Sequence, residues 1–236
     1  MKKTIILLVS GILLLASCKK DSIQIPVAKE PCLIQTGNPS GRTYTADSVQ
    51  PFTCTGSHCG ILPLNTRNYW VYEDSVFNNG VFQKVQYDTL RFTSTLKTLS
   101  DGLVWWESNI AVGLPEKLYA NDSTLFKMEN RMFASGFIDA KKEYGLFTGD
   151  SLRYLSGFED AAAIARSLKT NSVMTTPAGD FSGYLYFEKN ARNYRKDQVF
   201  FQPGIGVIRY VREMAAMGSP LIKLQQVSTL VSYHLE

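Results

Sequence analysis

A regular succession of turn signals, separated by strand-like runs, constrains the fold more than any other feature of this sequence. Asn78-Asn79-Gly80 is a strong hairpin signal. It separates residues 69–77 from a long run at 81–99, and both runs are rich in aromatic and β-branched residues. Asp101-Gly102 marks the next turn, before the run at 103–110. Apolar residues change parity within the long run, which predicts a bulge or a bend. The pattern indicates antiparallel strands joined by short connections.

The same pattern continues to the C-terminus. Further runs with strand-like character lie at 117–120, 124–128, 131–138, 144–148, 152–155, 184–188, 198–201, 207–212 and 221–235. Residues 159–169 are the exception, because their alanines favour a helix; a strand leading toward Val173 is the alternative. The sequence therefore predicts a mainly β domain with at most one or two short helices.

The N-terminus carries the features of an export signal. Lys2 and Lys3 precede an apolar stretch from Ile5 to Leu15. That stretch is shorter than the about 20 residues of a spanning helix, and it fits the apolar region of a cleaved signal peptide. The following Leu15-Ala16-Ser17-Cys18 resembles the lipobox of bacterial lipoproteins. The resemblance implies that Cys18 is diacylated, that the chain is cleaved before it, and that the new N-terminus is acylated. An uncleaved N-terminal anchor is the alternative.

The lipobox predicts both a location and a division of the chain. Two or more acyl chains anchor a protein stably to a membrane, so the predicted location is the cell envelope, with the outer membrane favoured over the inner. The lipid on Cys18 is the predicted membrane contact. The predicted segments are a signal peptide at 1–17, a lipidated tether with a cysteine loop at 18–59, and an antiparallel β domain at 60–236. Proline and glycine punctuate the tether, which has no sustained hydrophobic period.

The other cysteines are expected to be oxidised, because disulfides persist in the compartments that exported proteins reach. Cys54 and Cys59 would close a small loop and are predicted to form a disulfide, which leaves Cys32 free or paired with another molecule. Pairing of Cys32 with either of them is the alternative. Cys54, His58 and Cys59 also offer three metal-ligand types in a short segment. Zinc sites usually add a second ligand cluster, and none follows, so no metal site is predicted.

Two motifs in the second half resemble those of an uncharacterised family of Bacteroidetes-type exported lipoproteins. They are the PAGxF motif at Pro177–Phe181 and the PGIGxI motif at Pro203–Ile208. The opening Leu62-Pro63-Leu64 and Asn68–Tyr72 are similar as well, although Arg67-Asn68 replaces the usual glycine. The resemblance implies a single curved antiparallel sheet, half-barrel-like, similar to the periplasmic lipoprotein carrier. It implies no activity, since the motif residues shape turns and strand entries.

The sequence shows no recognisable catalytic set, so no enzyme activity and no cofactor are predicted. Gly149-Asp150-Ser151-Leu152 spells the nucleophile motif of GDSL esterases, but it lies past mid-chain and His234 lacks an aspartate three residues before it. A turn is the favoured interpretation. His58 and His234 are the two histidines, and neither is a favourable catalytic base. A formal net charge of +4, which falls to +2 without the two signal lysines, is too small to indicate nucleic-acid binding.

Five aromatic residues are candidates for a ligand-binding face. Adjacent strand residues point to opposite sides of a sheet, so one member of Trp105-Trp106 is expected in the core while the other could line a cavity. Tyr69, Trp70 and Tyr72 raise the same alternative. Core packing is favoured, because aromatic side chains dominate ordinary protein cores.

Three functions are compatible with these features. The leading hypothesis is a non-enzymatic, membrane-anchored envelope lipoprotein that binds an apolar or amphipathic ligand, such as a lipid, or a partner protein. A structural or assembly component of an envelope complex is the first alternative, and a sealed concave face would favour it. A hydrolase that uses two carboxylates about 5 to 9 Å apart is the second alternative.

The substitution Cys18→Ser is expected to abolish lipidation, because only the thiol can form the thioether to diacylglycerol. The variant would lose buried acyl methylenes, each worth about 0.8 kcal/mol of membrane binding. The measurement is the mass of the mature N-terminus, since an uncut precursor would stay on the membrane through residues 1–17. Wild-type protein that starts after Cys18, or that starts at Cys18 without acyl mass, would contradict the lipobox interpretation.

Overall fold

The computed structural model describes residues 33–54, 56–131, 133–146, 151–158, 161–216 and 219–236. Its strands are β1 (Leu33–Ile34), β2 (Thr43–Thr45), β3 (Val49–Phe52), β4 (His58–Cys59), β5 (Tyr69–Asn78), β6 (Val81–Thr98), β7 (Val104–Ser108), β8 (Lys117–Ala120), β9 (Thr124–Asn130), β10 (Phe137–Gly145), β11 (Ser151–Phe158), β12 (Ala161–Lys169), β13 (Val173–Thr176), β14 (Gly179–Ser182), β15 (Leu185–Ala191), β16 (Arg195–Gln202), β17 (Gly206–Ala215) and β18 (Ile222–His234). The helical turn in these ranges is a 3-10 helix at Ala46–Ser48. No helix in the part described is long and apolar enough to span a bilayer.

One large antiparallel sheet organises the chain. Its order is β11-β12-β15-β16-β17-β18-β5-β6-β7-β8-β9-β10-β2, and β3 adds to β6 outside this path. The order begins and ends on different strands, and the sheet is curved. The predicted fold class, a mainly β protein built on a single curved antiparallel sheet, is confirmed. The short pairs β1-β4 and β13-β14 lie outside the large sheet.

The helix predicted at 159–169 is wrong where the structure describes it, because Ala161–Lys169 is strand β12. β12 pairs with β11 on one side and with β15 on the other. Hydrogen bonds on both edges outweigh the helix propensity of alanine, which amounts to well under 1 kcal/mol per residue relative to most other residues. Residues 159–160 lie outside the described part of the chain.

The predicted hairpin at Asn78-Asn79-Gly80 is confirmed. Asn79 has a φ of 51° and Gly80 a φ of 81°, the two successive positive values that a type I′ turn requires. The bulge predicted in the long run has a counterpart in β6. The register of β6 against β7 shifts between Phe92 and Ser94, a few residues after Leu90, where the apolar parity changes.

The ordered sheet begins earlier in the chain than the pattern indicates. β2 pairs with β10 and β3 pairs with β6, although both strands fall in the segment assigned to the tether. These strands have only three and four residues, and β3 contains Pro51. Such short elements leave no periodic signal. Pro51 is compatible with β3, because proline is tolerated on strands at the edge of a sheet.

Two of the motif glycines have the roles that their positions indicate. Gly179 has a φ of 130° at the start of β14 and turns the β13-β14 hairpin. Gly206 opens β17, where an added Cβ would lie 3.1 Å from Leu62 Cδ1 and 3.4 Å from Trp70 Nε1. The PGIGxI motif therefore lets β17 begin directly against the core.

The concave face of the sheet is filled by the chain itself. Tyr144 of β10 stacks on Phe187 of β15 with ring centroids 4.4 Å apart, so the curl brings two distant strands together. Buried residues of the connecting segments pack beneath them, among them Leu62, Leu64 and Leu114. The result is one large apolar core, with a smaller cluster around Trp105 on the other face.

The substitution Gly60→Ala is expected to destabilise the protein by about 1–3 kcal/mol, the usual cost of overpacking. Its Cβ would lie 2.3 Å from the carbonyl oxygen of Asn121, a backbone atom that already accepts a hydrogen bond from Ile61. Gly56→Ala is the matched control, because its Cβ would meet nothing nearer than 3.9 Å. Urea unfolding of both variants is the measurement, and equal midpoints would contradict the steric explanation.

Candidate functional site

Four of the five candidate aromatic residues are core residues. Trp70, Tyr72, Trp105 and Trp106 are fully buried. Trp70 Nε1 donates a hydrogen bond to Ile205 O at 2.7 Å, and Tyr72 Oη donates to Val207 O at 2.8 Å. The two bonds fasten β5 to the start of β17 and to the residue before it. These four side chains therefore present no surface to a ligand. They pack in the core, as the favoured interpretation of the sequence expects.

Tyr69 lies in a different environment at the start of β5. Its ring stacks on His234 with centroids 5.5 Å apart, and the Arg91 guanidinium carbon lies 4.7 Å from its centroid. Arg67 and His234 both approach the carboxylate of Glu236, at 2.5 Å and 3.6 Å. Tyr69 and His234 thus help to hold Glu236 against the sheet.

The predicted disulfide between Cys54 and Cys59 is wrong, because Cys54 is a free thiol. Its sulfur lies 3.5 Å from His58 Nε2. His58 and Cys59 are consecutive residues of β4, so their side chains point to opposite faces of the strand. A cysteine that contacts His58 therefore faces away from Cys59.

The hydrogen bonds around His58 determine which of its ring nitrogens carries a proton. Nδ1 lies 2.7 Å from Gln35 Nε2 and 3.2 Å from Trp106 Nε1. An indole nitrogen can only donate, so Nδ1 is the acceptor and Nε2 carries the proton that points at Cys54. Burial lowers the pKa of His58. This neutral tautomer is poorly suited to deprotonate Cys54 or to bind a metal through Nε2. In the described part of the chain no group of three potential metal ligands occurs.

A charged cleft of about 280 Å³ is the more promising site. It lies between the two flanks of the curved sheet, and residues 111–115 form one of its walls. We define the charged cleft by nine polar side chains: Lys127 and Glu129 of β9, Glu143 and Tyr144 of β10, Lys189 of β15, Arg195 and Asp197 of β16, and Tyr210 and Arg212 of β17.

Strand register explains why these residues share one face. Asp197 lies directly opposite both Lys189 and Arg212 on its two neighbouring strands. Residues that face each other across antiparallel strands point to the same side of the sheet. The curl of the sheet then places the β9 and β10 side chains over this row, as the contact between Lys189 and Glu143 shows.

The carboxylates of one flank are neutralised by lysines. Glu143, whose side chain is 5% exposed, forms an ion pair with Lys189 and lies 3.9 Å from Lys127. Lys127 also lies 2.5 Å from Glu129, and Lys141 is a second partner of that carboxylate. Burial acts to raise the pKa of Glu129, but the two lysines outweigh it and the pKa is lowered. Glu129 is therefore ionised at neutral pH.

On the other flank, two residues of β16 form a bidentate ion pair. Arg195 Nε and Nη2 donate to the two oxygens of Asp197 at 2.9 Å and 2.8 Å. The adjacent Tyr210 is buried. Burial first, and then the Asp197 carboxylate, raises its pKa to about 12, so its hydroxyl keeps its proton at neutral pH.

Arg212 differs from the other cations of the charged cleft. Its Nε is buried and has no hydrogen-bond partner among the described residues. Asp197, which lies opposite on β16, is engaged by Arg195 instead. Four cationic side chains and three carboxylates line the cleft, so one positive charge is unbalanced. The cleft has the chemistry of a site for a ligand with a negative group.

Other carboxylates of the sheet, which could have formed the pair that a hydrolase needs, do not line this cleft. Glu107 lies 3.5 Å from Lys117, and Asp139 lies 2.8 Å from Arg131. Asp88 lies near Asp74, whose pKa is raised by burial and by that neighbouring carboxylate. Asp150 and most of the GDSL motif lie outside the described residues. No serine, cysteine or histidine lies among the cleft-lining residues.

Sequence reasoning did not find the charged cleft. Lys127 and Glu129 alternate with Phe126 and Met128 along β9, and this pattern is typical of a strand with one solvated face. Asp197 and Arg212 lie beside other polar residues, which also suggests solvent exposure. The charged face is instead turned inward by the curl of the sheet. The available signal was a surplus of ionic residues at similar positions in several strands. That signal can be recognised only when the register of the strands is known.

Stability is expected to fall as the pH drops below about 6.5, the usual pKa of an unfolded-state histidine, because the folded pKa of His58 is lowered by burial. In that window the unfolded chain binds more protons than the native protein, which favours unfolding. The His58→Gln variant should show a smaller drop in melting temperature between pH 7.5 and 5.5. His234→Gln removes the other histidine, at a half-exposed position, and is the comparison: it should not reduce the drop as His58→Gln does. Identical pH profiles for wild type and His58→Gln would refute the assignment.

Comparison with known proteins gave no match to a family model, a curated protein or a solved structure. The interpretation of the charged cleft therefore depends on its own side chains. These are lysine–carboxylate contacts on one flank, a bidentate arginine–aspartate pair on the other, and one guanidinium whose Nε lacks an acceptor.

Proposed function

We propose that this protein is a lipid-anchored, non-enzymatic binding protein of the cell envelope that holds part of an amphipathic ligand in the charged cleft. The lipobox resemblance at Cys18 supports the location, and the outer membrane is the favoured membrane. The observation that carries the binding function is the cleft itself, a cavity lined by convergent charged side chains.

The lining of the charged cleft matches a ligand with both polar and apolar parts. Ala111, Leu114 and Pro115 form an apolar wall opposite the ionic rows of β16 and β17. The Tyr144 ring lies between them, with Lys189 Nζ 5.6 Å from its centroid. An apolar group can bury area against this wall while a charged group contacts the ionic rows.

The state of the cleft carboxylates supports binding in preference to hydrolysis. A glycosidase needs one carboxylic acid whose pKa is raised so that it holds a proton. Glu129 has a lowered pKa, Glu143 is paired with Lys189, and Asp197 accepts both bonds from Arg195. Each of these carboxylates is thus engaged by a cation, which it helps to position.

A structural or assembly role in an envelope complex is the second candidate, and one observation favours it. The concave face of the sheet is largely packed with the chain's own aromatic residues, such as Trp70, Phe92 and Trp106, which are almost completely buried. A scaffold needs such a core but no ligand. Binding at the charged cleft separates the two candidates.

The substitution Ala111→Trp is expected to block the charged cleft, because Ala111 lies on its wall and is exposed, so that a large side chain would fill it without entering the core. The measurement is native mass spectrometry of protein purified without detergent, together with mass spectrometry of the lipids extracted from it. Wild-type protein should carry a bound small molecule that Ala111→Trp lacks.

Ser135→Trp is the matched control, since Ser135 is exposed and lies outside the cleft-lining residues, and it should retain the wild-type adduct. A wild-type protein that carries no adduct, or an adduct kept equally by Ala111→Trp, would favour the assembly role.

A further inference from the structure

We infer that the ligand carries an oxyanion, a carboxylate or a phosphate, and that Arg212 is the residue that binds it. This inference rests on the proposed function and specifies the ligand chemistry of the same cleft. It stands on three observations: an arginine whose buried Nε has no acceptor among the described residues, the engagement of the carboxylate opposite it by another residue, and the balance of charge around it.

The first observation is the position of Arg212. It lies in the middle of β17, on the inward face, and its Nε is buried without a partner in the described ranges. A buried N–H group without an acceptor is unfavourable, and most buried polar groups in proteins have a partner. A guanidinium presents its donors in a planar fork that matches a carboxylate or a phosphate. The unsatisfied donor therefore points to an oxyanion as the missing partner.

The second observation explains why the protein does not supply that partner. Asp197 lies opposite Arg212 in the strand register and would be the natural acceptor. Both of its oxygens instead receive hydrogen bonds from Arg195. Glu143 is likewise paired with Lys189. The carboxylates near Arg212 are thus committed to other cations, and Arg212 is left to an external anion.

The third observation is electrostatic. The four cations of the charged cleft exceed its three carboxylates by one, and one bound negative charge would restore neutrality. Tyr210, two residues before Arg212 on the same face of β17, adds a hydroxyl that stays protonated at neutral pH and can donate to an anion. The net charge of the cleft and its hydrogen-bond donors therefore both favour an anionic ligand.

The size of the cleft limits what can enter. A volume of about 280 Å³ is near the lower end of small-molecule sites, which span roughly 300–1,000 Å³. It holds a headgroup or a small organic acid, and the acyl chains of a lipid would extend beyond it. A free anion and a lipid headgroup share this chemistry, so the test includes both.

Isothermal titration calorimetry of the soluble chain from residue 19 onward is the test, with four probes: inorganic phosphate, acetate, dihexanoyl-phosphatidylglycerol below its micelle concentration, and neutral octyl glucoside. At least one anionic probe should bind the wild type, and Arg212→Gln should weaken it at least tenfold. Arg212→Lys should retain part of the affinity, because it keeps the charge but loses the planar fork. Binding of phosphatidylglycerol alone would identify a lipid headgroup, and binding of phosphate or acetate a free anion.

Arg209→Gln is the matched control. Arg209 is exposed on the same strand and lies opposite Phe200 and Thr229 on the other face of the sheet, so this variant should bind like the wild type. Melting temperatures of all variants check that the fold is intact. Equal affinity of wild type and Arg212→Gln for the anions would overturn the inference.

The two proposals fail in different ways. If octyl glucoside binds, and Ala111→Trp blocks it, while none of the anions binds, the cleft is a binding site and the role of Arg212 is wrong. If no probe binds the wild type, both the role of Arg212 and the proposed function are contradicted.

Discussion

The contact between the two flanks of the curved sheet is the interaction on which the rest of the structure depends. An open sheet exposes two faces to water, and it becomes stable only when one face is covered. Here the sheet covers itself, because Tyr144 of β10 stacks on Phe187 of β15 and Tyr144 Oη donates to Gly113 O at 2.5 Å. The same closure places Glu143 against Lys189, in surroundings where charges interact more strongly than in water. The apolar core and the charged cleft therefore both result from the curvature of the same sheet.

Much of this fold is predictable from local chemistry, because hairpin turns and alternating aromatic strands are short-range signals. The Asn79-Gly80 turn and the buried Trp70 follow from residues close in sequence. β12 was mistaken for a helix because its alanines carry a weak local preference, whereas its strand state depends on β11 and β15, which pair with it from outside the segment. β2 and β3 were missed for the same reason, since only their partners β10 and β6 make them strands.

The functional site was the less predictable part, because every feature of it depends on distance in space. Cys54 and Cys59 are close in sequence, yet strand alternation at His58 separates them. Arg212 looks in the sequence like any exposed arginine of a β-strand. It becomes distinctive only when the register shows that Asp197, its opposite residue, is held by Arg195. A sequence pattern shows which residues lie on the same face of a strand. Whether that face points into the molecule or into solvent depends on the curvature of the whole sheet.

The place of the last strand in the sheet has a consequence for how the chain acquires its fold. β18 ends two residues before the C-terminus, yet it lies in the interior of the sheet, between β17 and β5. Its pairing joins Gln226 to Val76, about 150 residues away. Contacts of such long range form slowly, because a large loop must close first. In the described residues, main-chain pairing joins the two halves of the sheet through β18, so the sheet is completed only when this late strand has found both of its neighbours.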